Sequence, residues 1–540
     1  MIAKRLAEEP RAAWVLAAGF ALAGVVDVLF DRHLHDEGQL TYLFARMTAD
    51  APIDLLFLQK SRPPISLVYA PFAAIGPGVF GVVHVIVAAT AIGLLASIAR
   101  SLGHRWPNLA ALVLAASPMY FACAAAGVSN SDGVAVAILG VWLWHVRKRP
   151  FAGAIVLSLV PWIRAEVAPL SLLLLVIASR DDRRRAWSGA LVFPLVYALV
   201  GAIVHRDPLW WAHYPPALPE PMPGHPLWAQ QDGRITLASL SATMLALSPV
   251  WLLAIPVDAA SAGRSRLQWT WLGFAAFELG LLLAMPRWRV FNFDLSPRYL
   301  LGVLPAFALV VSSRVEALVE PPRNGTRVVE LSVLLGGAAI GFAVAAGGVH
   351  SAALAATAGV AIAIVVGRAG RVASAAIVVA LLVAIGPLGF GDGTGLRRDR
   401  VAPELAEIRT RLEEDPRLHG RPIFTNAPLL ASVLPIGPYG RVHYIVQADQ
   451  LHEIVTLTNP NNGQRERVLA AMSQQMYGIP MLADAFVPGD LPADAVLVLV
   501  EDPRLELVMP AQVWSKALVV HSSSERVRIA ELRPRKDAPR

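Results

Sequence analysis

Long apolar runs separated by short polar breaks repeat along the first 390 residues. A helix needs roughly 17–25 apolar residues to cross the hydrocarbon core of a bilayer. Candidate spans fall at about 12–30, 79–99, 107–125, 132–146, 150–163, 167–179, 187–204, 237–256, 268–286, 298–313, 329–347, 350–367 and 372–390, about thirteen in all. The runs at 150–163 and 167–179 are short and flank Trp162-Ile163-Arg164-Ala165-Glu166. They read either as two short helices meeting inside the membrane or as one long span. The pair is preferred, because Pro161 and Pro169 interrupt the run and because Arg164 and Glu166 would be costly at mid-bilayer.

The polar breaks are unequal. The first opens with Leu34-His35-Asp36-Glu37-Gly38-Gln39. After it, Leu40, Leu43, Phe44 and Met47 fall at helical i, i+3, i+4, i+7 spacing, with Thr41, Arg46 and Thr48 off that face. This predicts a helix lying flat at the membrane surface, with Asp36 and Glu37 at the water–lipid boundary. Further along the same break, Gln59-Lys60-Ser61-Arg62-Pro63-Pro64 precedes Ile65-Ser66-Leu67-Val68-Tyr69, a second surface helix. The break at about 205–236 carries Trp210-Trp211-Ala212-His213-Tyr214-Pro215-Pro216, and its aromatics and prolines suit a semi-rigid interfacial loop.

After Phe390 the character changes. Gly391-Asp392-Gly393-Thr394-Gly395 reads as a linker, dividing a membrane domain at 1–390 from a domain at 391–540. In the second domain a helix is expected at about 401–414 and another at about 464–476. Strands are expected at Pro422–Thr425, Val442–Val446, Ala495–Val500, Lys516–Val520 and Arg526–Leu532. Strands alternating with helices predict a small α/β domain. There is no internal repeat and no phosphate-cradling glycine loop.

Composition agrees with the pattern. Of 540 residues, 55% are hydrophobic and 16% charged, with a mean hydropathy of +0.53. The net charge of +7 raises nucleic acid as a partner, but the basic residues sit in short clusters between apolar runs and no nucleic-acid motif accompanies them. Membrane orientation explains them instead. About 19 Lys and Arg lie in one set of loops, Lys4 to Arg371, against about 10 in the longer loops opposite. The N-terminus is therefore expected on the cytoplasmic side, and the Asp36 loop and the C-terminal domain outside. The first run exceeds a signal-peptide core and lacks a small-residue cleavage site, so it reads as a retained span. The single cysteine, Cys123, lies in an apolar run, where a small buried residue is expected.

The charged residues away from the cytoplasm gather at the outer ends of the spans: Asp36, Glu37, Lys60, Arg62, Asp132, Arg164, Glu166, Arg287, Arg289, Asp294 and Arg298. Guanidinium groups hold phosphate in a partly dry site, and a nearby carboxylate can take a proton from an attacking hydroxyl. Four features, Asp36-Glu37 in the first outer loop, Arg62-Pro63-Pro64, Asp132, and Pro297-Arg298-Tyr299-Leu300-Leu301 with Pro305, resemble the polyprenyl-phosphate-sugar-dependent glycosyltransferases of the GT-C fold. Within that class the order is similar to the protein O-mannosyltransferase and aminoarabinose transferase group. Two positions depart from it while keeping the charge: Arg62 stands where Lys or His is usual, and Arg164 where Lys is frequent.

The resemblance implies a polytopic α-helical membrane protein with a C-terminal extracytoplasmic α/β domain. It implies Asp36 as the catalytic base, with Glu37 as substitute base or orienting group. Arg298, with Arg164 and Arg62, would bind the leaving phosphate. Lys60, Asp132, Glu166, Asp294 and Tyr299 complete the expected substrate site. The donor would be a polyprenyl-phosphate-linked sugar and the acceptor a lipid, glycan or protein, with no cofactor or metal required.

Each assignment has a competing reading. Asp36 and Glu37 can cap the surface helix; Arg298 can anchor to headgroups, and Arg62 can contact them. Arg164 and Glu166 can form a structural ion pair, and Asp132 can cap a helix. Glu278 sits mid-span, a functional candidate by default with a packing role as its rival. His33 and His35 lie beside Asp36 without a metal-ligand spacing. The competing function is a transporter or flippase, although paired, symmetric broken helices are not evident. A third reading, a ligase moving whole glycans, lacks its large basic outer loop.

Overall fold

The computed structural model describes residues 9–31, 36–50, 62–176, 180–210, 266–288 and 297–319. It also describes 408, 410–412, 414–421, 423–425, 442–444, 496–500, 518–523 and 527–532, and single positions at 52, 56, 57 and 247. The helices, in order, are α1 (Pro10–Asp31), α2 (Asp36–Asp50), α3 (Pro63–Ile75), α4 (Pro77–Ser101), α5 (Pro107–Ala115), α6 (Pro118–Ala125) and α7 (Asn130–Val141). They continue with α8 (Pro150–Ile163), α9 (Ala168–Val176), α10 (Arg180–His205), α11 (Arg266–Trp288) and α12 (Leu304–Val319). Proline opens six of them, at Pro10, Pro63, Pro77, Pro107, Pro118 and Pro150. The first helical residue has no intrahelical use for its N–H, and the fixed proline φ is already helical there.

Contacts divide the chain into two compact units, Met1–Val26 with His84–Tyr197 and Glu220–Arg397, and Asp27–Val83 with Ala198–Pro219 and Arg398–Arg540. The main apolar core of the first unit holds Ile92, Leu95, Leu114, Tyr120, Trp271, Phe274 and Leu300, all fully buried. α7 and α8 cross closely: a side chain at Gly153 would meet the Gly140 carbonyl oxygen at 2.7 Å. Small residues at such crossings let helix backbones approach without a hydrophobic driving force. The run expected as one span at 107–125 is two helices bent by 60°. Ser117 sits at the bend and its hydroxyl accepts from the Tyr120 N–H. The run at 132–146 begins at Asn130 and finishes in a π-helical turn, Trp142–Val146.

The break between α8 and α9 falls at Arg164, whose backbone is extended, followed by a 3-10 turn at Ala165–Val167. Pro161 itself stays inside α8. On α10, Leu191, Leu195, Leu199 and Ile203 form an exposed apolar stripe at four-residue spacing, the face a hydrocarbon solvent would cover. Among the described residues three helices are long and apolar enough to cross a membrane, or four if the bent pair counts as one. The spans expected at 329–347, 350–367 and 372–390, the linker after Phe390 and the helix at 464–476 lie outside the described residues, as does most of the span at 237–256.

In the second unit α2 packs along α3. The packed face of α2 carries Thr41, Tyr42, Ala45 and Thr48, all buried, and the Thr48 hydroxyl satisfies itself on the Phe44 carbonyl at 2.7 Å. The threonines expected away from the apolar face are thus buried, while the side chains of Leu40, Leu43 and Met47 lie outside the described residues. Phe80 joins the pair, with its ring edge-on to Tyr42 and to Tyr69 at 5.6 and 5.3 Å. Burial pushes the Tyr42 hydroxyl up to about 12, with Arg46 acting in the opposite direction.

The same unit holds a five-stranded sheet of β1 (Ile423–Thr425), β2 (Val442–Tyr444), β3 (Val496–Val500), β4 (Leu518–Ser523) and β5 (Val527–Leu532), in the order β2-β1-β3-β5-β4. β1 pairs in parallel with β2 and β3, whereas β5 is antiparallel to β3 and β4. Val496, Leu497 and Val498 are all fully buried. Burial of successive residues is what a central strand covered on both faces requires, and it explains the unbroken apolar run of β3.

Candidate active site

Polar side chains in the first unit collect where α7 begins. Ser129 and Asn130 open that helix and Asp132 lies in its first turn. All of them are buried. The 3-10 turn after α8 and a second 3-10 segment, Pro297–Val303, meet here.

Arg164, 6% exposed, donates from Nε to Glu166 Oε1 at 2.6 Å and from a terminal nitrogen to the Ser129 hydroxyl at 3.3 Å. Its stem crosses the first turn of α7, where a side chain at Gly133 would meet Arg164 Cγ at 3.0 Å. The Asn130 amide donates both ways, to Glu166 Oε1 at 3.1 Å and to the Arg298 carbonyl at 3.0 Å. With both N–H groups on acceptors, the orientation of this amide is fixed and its Oδ1 is left as an acceptor.

Tyr299 carries two cations. The Arg298 guanidinium lies 5.0 Å from the ring centroid and donates to the Tyr299 hydroxyl at 3.2 Å. The Arg164 guanidinium lies 5.5 Å from the same ring. Ring quadrupole attraction and Glu166 hold two like charges at one place, beside a helix N-terminus that adds further positive potential. The corner is suited to an anion shared by two guanidinium groups.

Asp132 is brought elsewhere. Its Oδ2 lies 2.9 Å from Nε2 of His84, a fully buried residue of α4. The other ring nitrogen, Nδ1, lies 2.8 Å from the Ala124 carbonyl oxygen. Both ring nitrogens face acceptors, so one proton serves the carbonyl and a second lies between imidazole and carboxylate. Whichever atom holds that second proton, the pair is neutral as a whole, which makes its burial tolerable.

The structure thus brings together four of the expected residues, Arg164, Glu166, Arg298 and Tyr299. Two more join them that the sequence did not single out as partners, Ser129 and Asn130, and Glu278 lies on α11, which packs against the Pro297–Val303 segment. Only Glu278 had a usable signal, a charge in the middle of an apolar run. His84 had none.

The remaining expected residues belong to the second unit or lie outside the description. Asp36 and Glu37 are helical, within α2; their side chains are outside the described residues. Lys60, Asp294, His33 and His35 are also outside them. Arg62 precedes α3 in the left-handed region, with φ at 53°, and its guanidinium donates to the Thr41 hydroxyl at 2.9 Å, tying α3 to α2. Cys123 is buried, with its sulfur 3.7 Å from that of Met119. A groove of about 650 Å³ runs between α9 and α11, lined by Pro169, Leu172, Leu173, Trp269, Thr270, Gly273 and Phe277.

The fold is shared with ArnT from Cupriavidus metallidurans. Its crystal structure bound to undecaprenyl phosphate aligns with a TM-score of 0.55 at 16% identity, covering 98% of this chain and 100% of that one. The apo-state crystal structure aligns with a TM-score of 0.50 at 16% identity, covering 96% and 97%. The GT-C membrane fold expected from the order of motifs is therefore the fold found. No family model and no curated protein matches the chain.

Proposed function

We propose that the chain is an integral membrane glycosyltransferase that moves one sugar from a polyprenyl phosphate to an acceptor outside the cytoplasmic membrane. The observation that carries this reading is the meeting of Arg164 and Arg298 on Tyr299 at the start of a buried helix. Two guanidinium groups gathered on one ring inside an apolar bundle suit an anion that arrives with an apolar tail. The shared fold supports the same class of ligand, since one ArnT structure holds undecaprenyl phosphate. The groove between α9 and α11 offers apolar surface to a polyprenyl chain.

In this reading Asp36 removes the proton from the acceptor hydroxyl as that oxygen attacks the anomeric carbon. The bond from that carbon to the phosphate oxygen breaks, and the configuration inverts. The polyprenyl phosphate leaves as an anion held by Arg298 and Arg164, with Arg62 as a further cation. Fixed positive charge aimed at a leaving oxygen is commonly a large catalytic contribution. Glu37 orients Asp36 or replaces it. Lys60, Asp132, Glu166, Asp294 and Tyr299 complete the site, Asp132 acting through the α7 turn it helps to hold. The N-terminus is cytoplasmic, and the domain at 391–540 lies outside and governs acceptor access.

Purified protein in detergent, supplied with labelled undecaprenyl-phosphate sugars and cell-envelope acceptors, should transfer label. Uptake of these lipids into vesicles without any glycosyl transfer would instead identify a transporter. Deletion after residue 391 should alter acceptor choice; unchanged choice and activity would leave the C-terminal domain a stability or docking role.

A further inference from the structure

Glu278 lies in the middle of α11 and is 2% exposed. Among the described residues its Oε1 has no hydrogen-bond partner, and the same is true of Asn130 Oδ1. Asn130 is 3% exposed. The helices of the two residues, α7 and α11, both pack against the Pro297–Val303 segment. Phe274, one turn before Glu278, lies where Gly302 and Val167 meet, and Val167 follows Glu166, the residue to which Asn130 donates.

Buried acceptors are almost always paired in folded proteins, and the exceptions call for an explanation. Here both lie beside a network whose other groups, Arg164, Glu166 and the Asn130 N–H pair, are already bonded. Asn130 Oδ1 can only accept, and Glu278 accepts through at least one oxygen in either protonation form, so the ligand part that completes both must bring donors. A phosphate cannot do so, because it offers acceptors and carries negative charge. Sugar hydroxyls can.

We infer that Glu278 and Asn130 are the sugar-recognising acceptors of this site, taking hydrogen bonds from hydroxyl groups of the transferred sugar while the guanidinium pair holds its phosphate. The inference rests on the transferase reading and adds a specificity-determining residue to it. A site built to accept from a hydroxyl discriminates strongly against a ligand that lacks one, because the acceptor is then left unpaired.

The test measures binding of four lipids to full-length protein in detergent: bare undecaprenyl phosphate, and undecaprenyl phosphate carrying a neutral hexose, a neutral pentose or an aminosugar. Wild type should bind at least one sugar-bearing lipid tenfold or more tightly than the bare lipid. In Glu278→Ala that advantage should fall below threefold, while affinity for the bare lipid stays within twofold and the melting temperature does not fall. Glu278→Gln, nearly the same shape, should keep part of the advantage and serves if the alanine variant does not fold. An undiminished advantage in either variant, an equal loss for bare and sugar-bearing lipid, or a melting temperature lowered by several degrees would overturn the inference. Wild type that binds bare lipid yet gains nothing from any sugar would overturn it too, with the phosphate site intact. Wild type that binds no undecaprenyl lipid at all would remove the transferase reading along with it.

Discussion

Two buried carboxylic acids in the same helical unit are treated in opposite ways. Asp132 is closed off by His84, whose second nitrogen is in turn closed off by the Ala124 carbonyl. Glu278 is equally buried but keeps an oxygen without a partner among the described residues. The first arrangement is saturated and ties α4 and the end of α6 to the first turn of α7. The second is a cost left standing on the helix that packs against the Pro297–Val303 segment. Burial alone therefore does not distinguish architecture from function in this bundle. Saturation does.

The contrast is broken most forcefully by removing one partner of a saturated set. His84→Ala should lose about 3–5 kcal/mol of stability, the usual penalty for stranding one member of a buried pair. Thermal melting in detergent measures it, and a loss below about 1 kcal/mol would mean the pair holds nothing together. Arg164→Ala strands Glu166 in the same way, and it should also weaken binding of bare undecaprenyl phosphate by about tenfold or more, the scale of one charge-assisted contact. Destabilisation without weaker binding would make Arg164 a structural ion pair only. Ser129→Ala removes a hydrogen bond to a charged group and should cost about 1.5–3 kcal/mol. The smallest effect belongs to the unsaturated acid: Glu278→Gln should leave stability within about 1 kcal/mol of wild type or raise it, since no made bond is lost.

Local signals were readable from the chain. Each of the five strands lies within three residues of its expected ends, because the apolar runs there are short and bounded by turn residues. The interruption at Arg164 was readable from charge, although the helix runs past Pro161 and stops two residues later, at Ile163. What could not be read is pairing at a distance. His84 looks like any histidine on an apolar helix until Asp132, 48 residues on, is placed against it. Asn130 bonds 36 and 168 residues away, and asparagine before an apolar run otherwise signals a helix start. On α2 the periodicity pointed to Leu40, Leu43, Phe44 and Met47; off that face Thr41 and Thr48 are buried, and Thr48 bonds its own helix, which lets it pack as a small apolar residue.

The central claim is that a base and a pair of guanidinium groups serve one sugar–phosphate bond. It is tested most directly by single-turnover transfer from labelled undecaprenyl-phosphate sugar, comparing wild type with Asp36→Asn in folded, monodisperse protein. Loss of a general base predicts a rate lower by about 10²–10⁴, with lipid binding retained. Transfer that continues undiminished in Asp36→Asn and in Glu37→Gln would contradict the account.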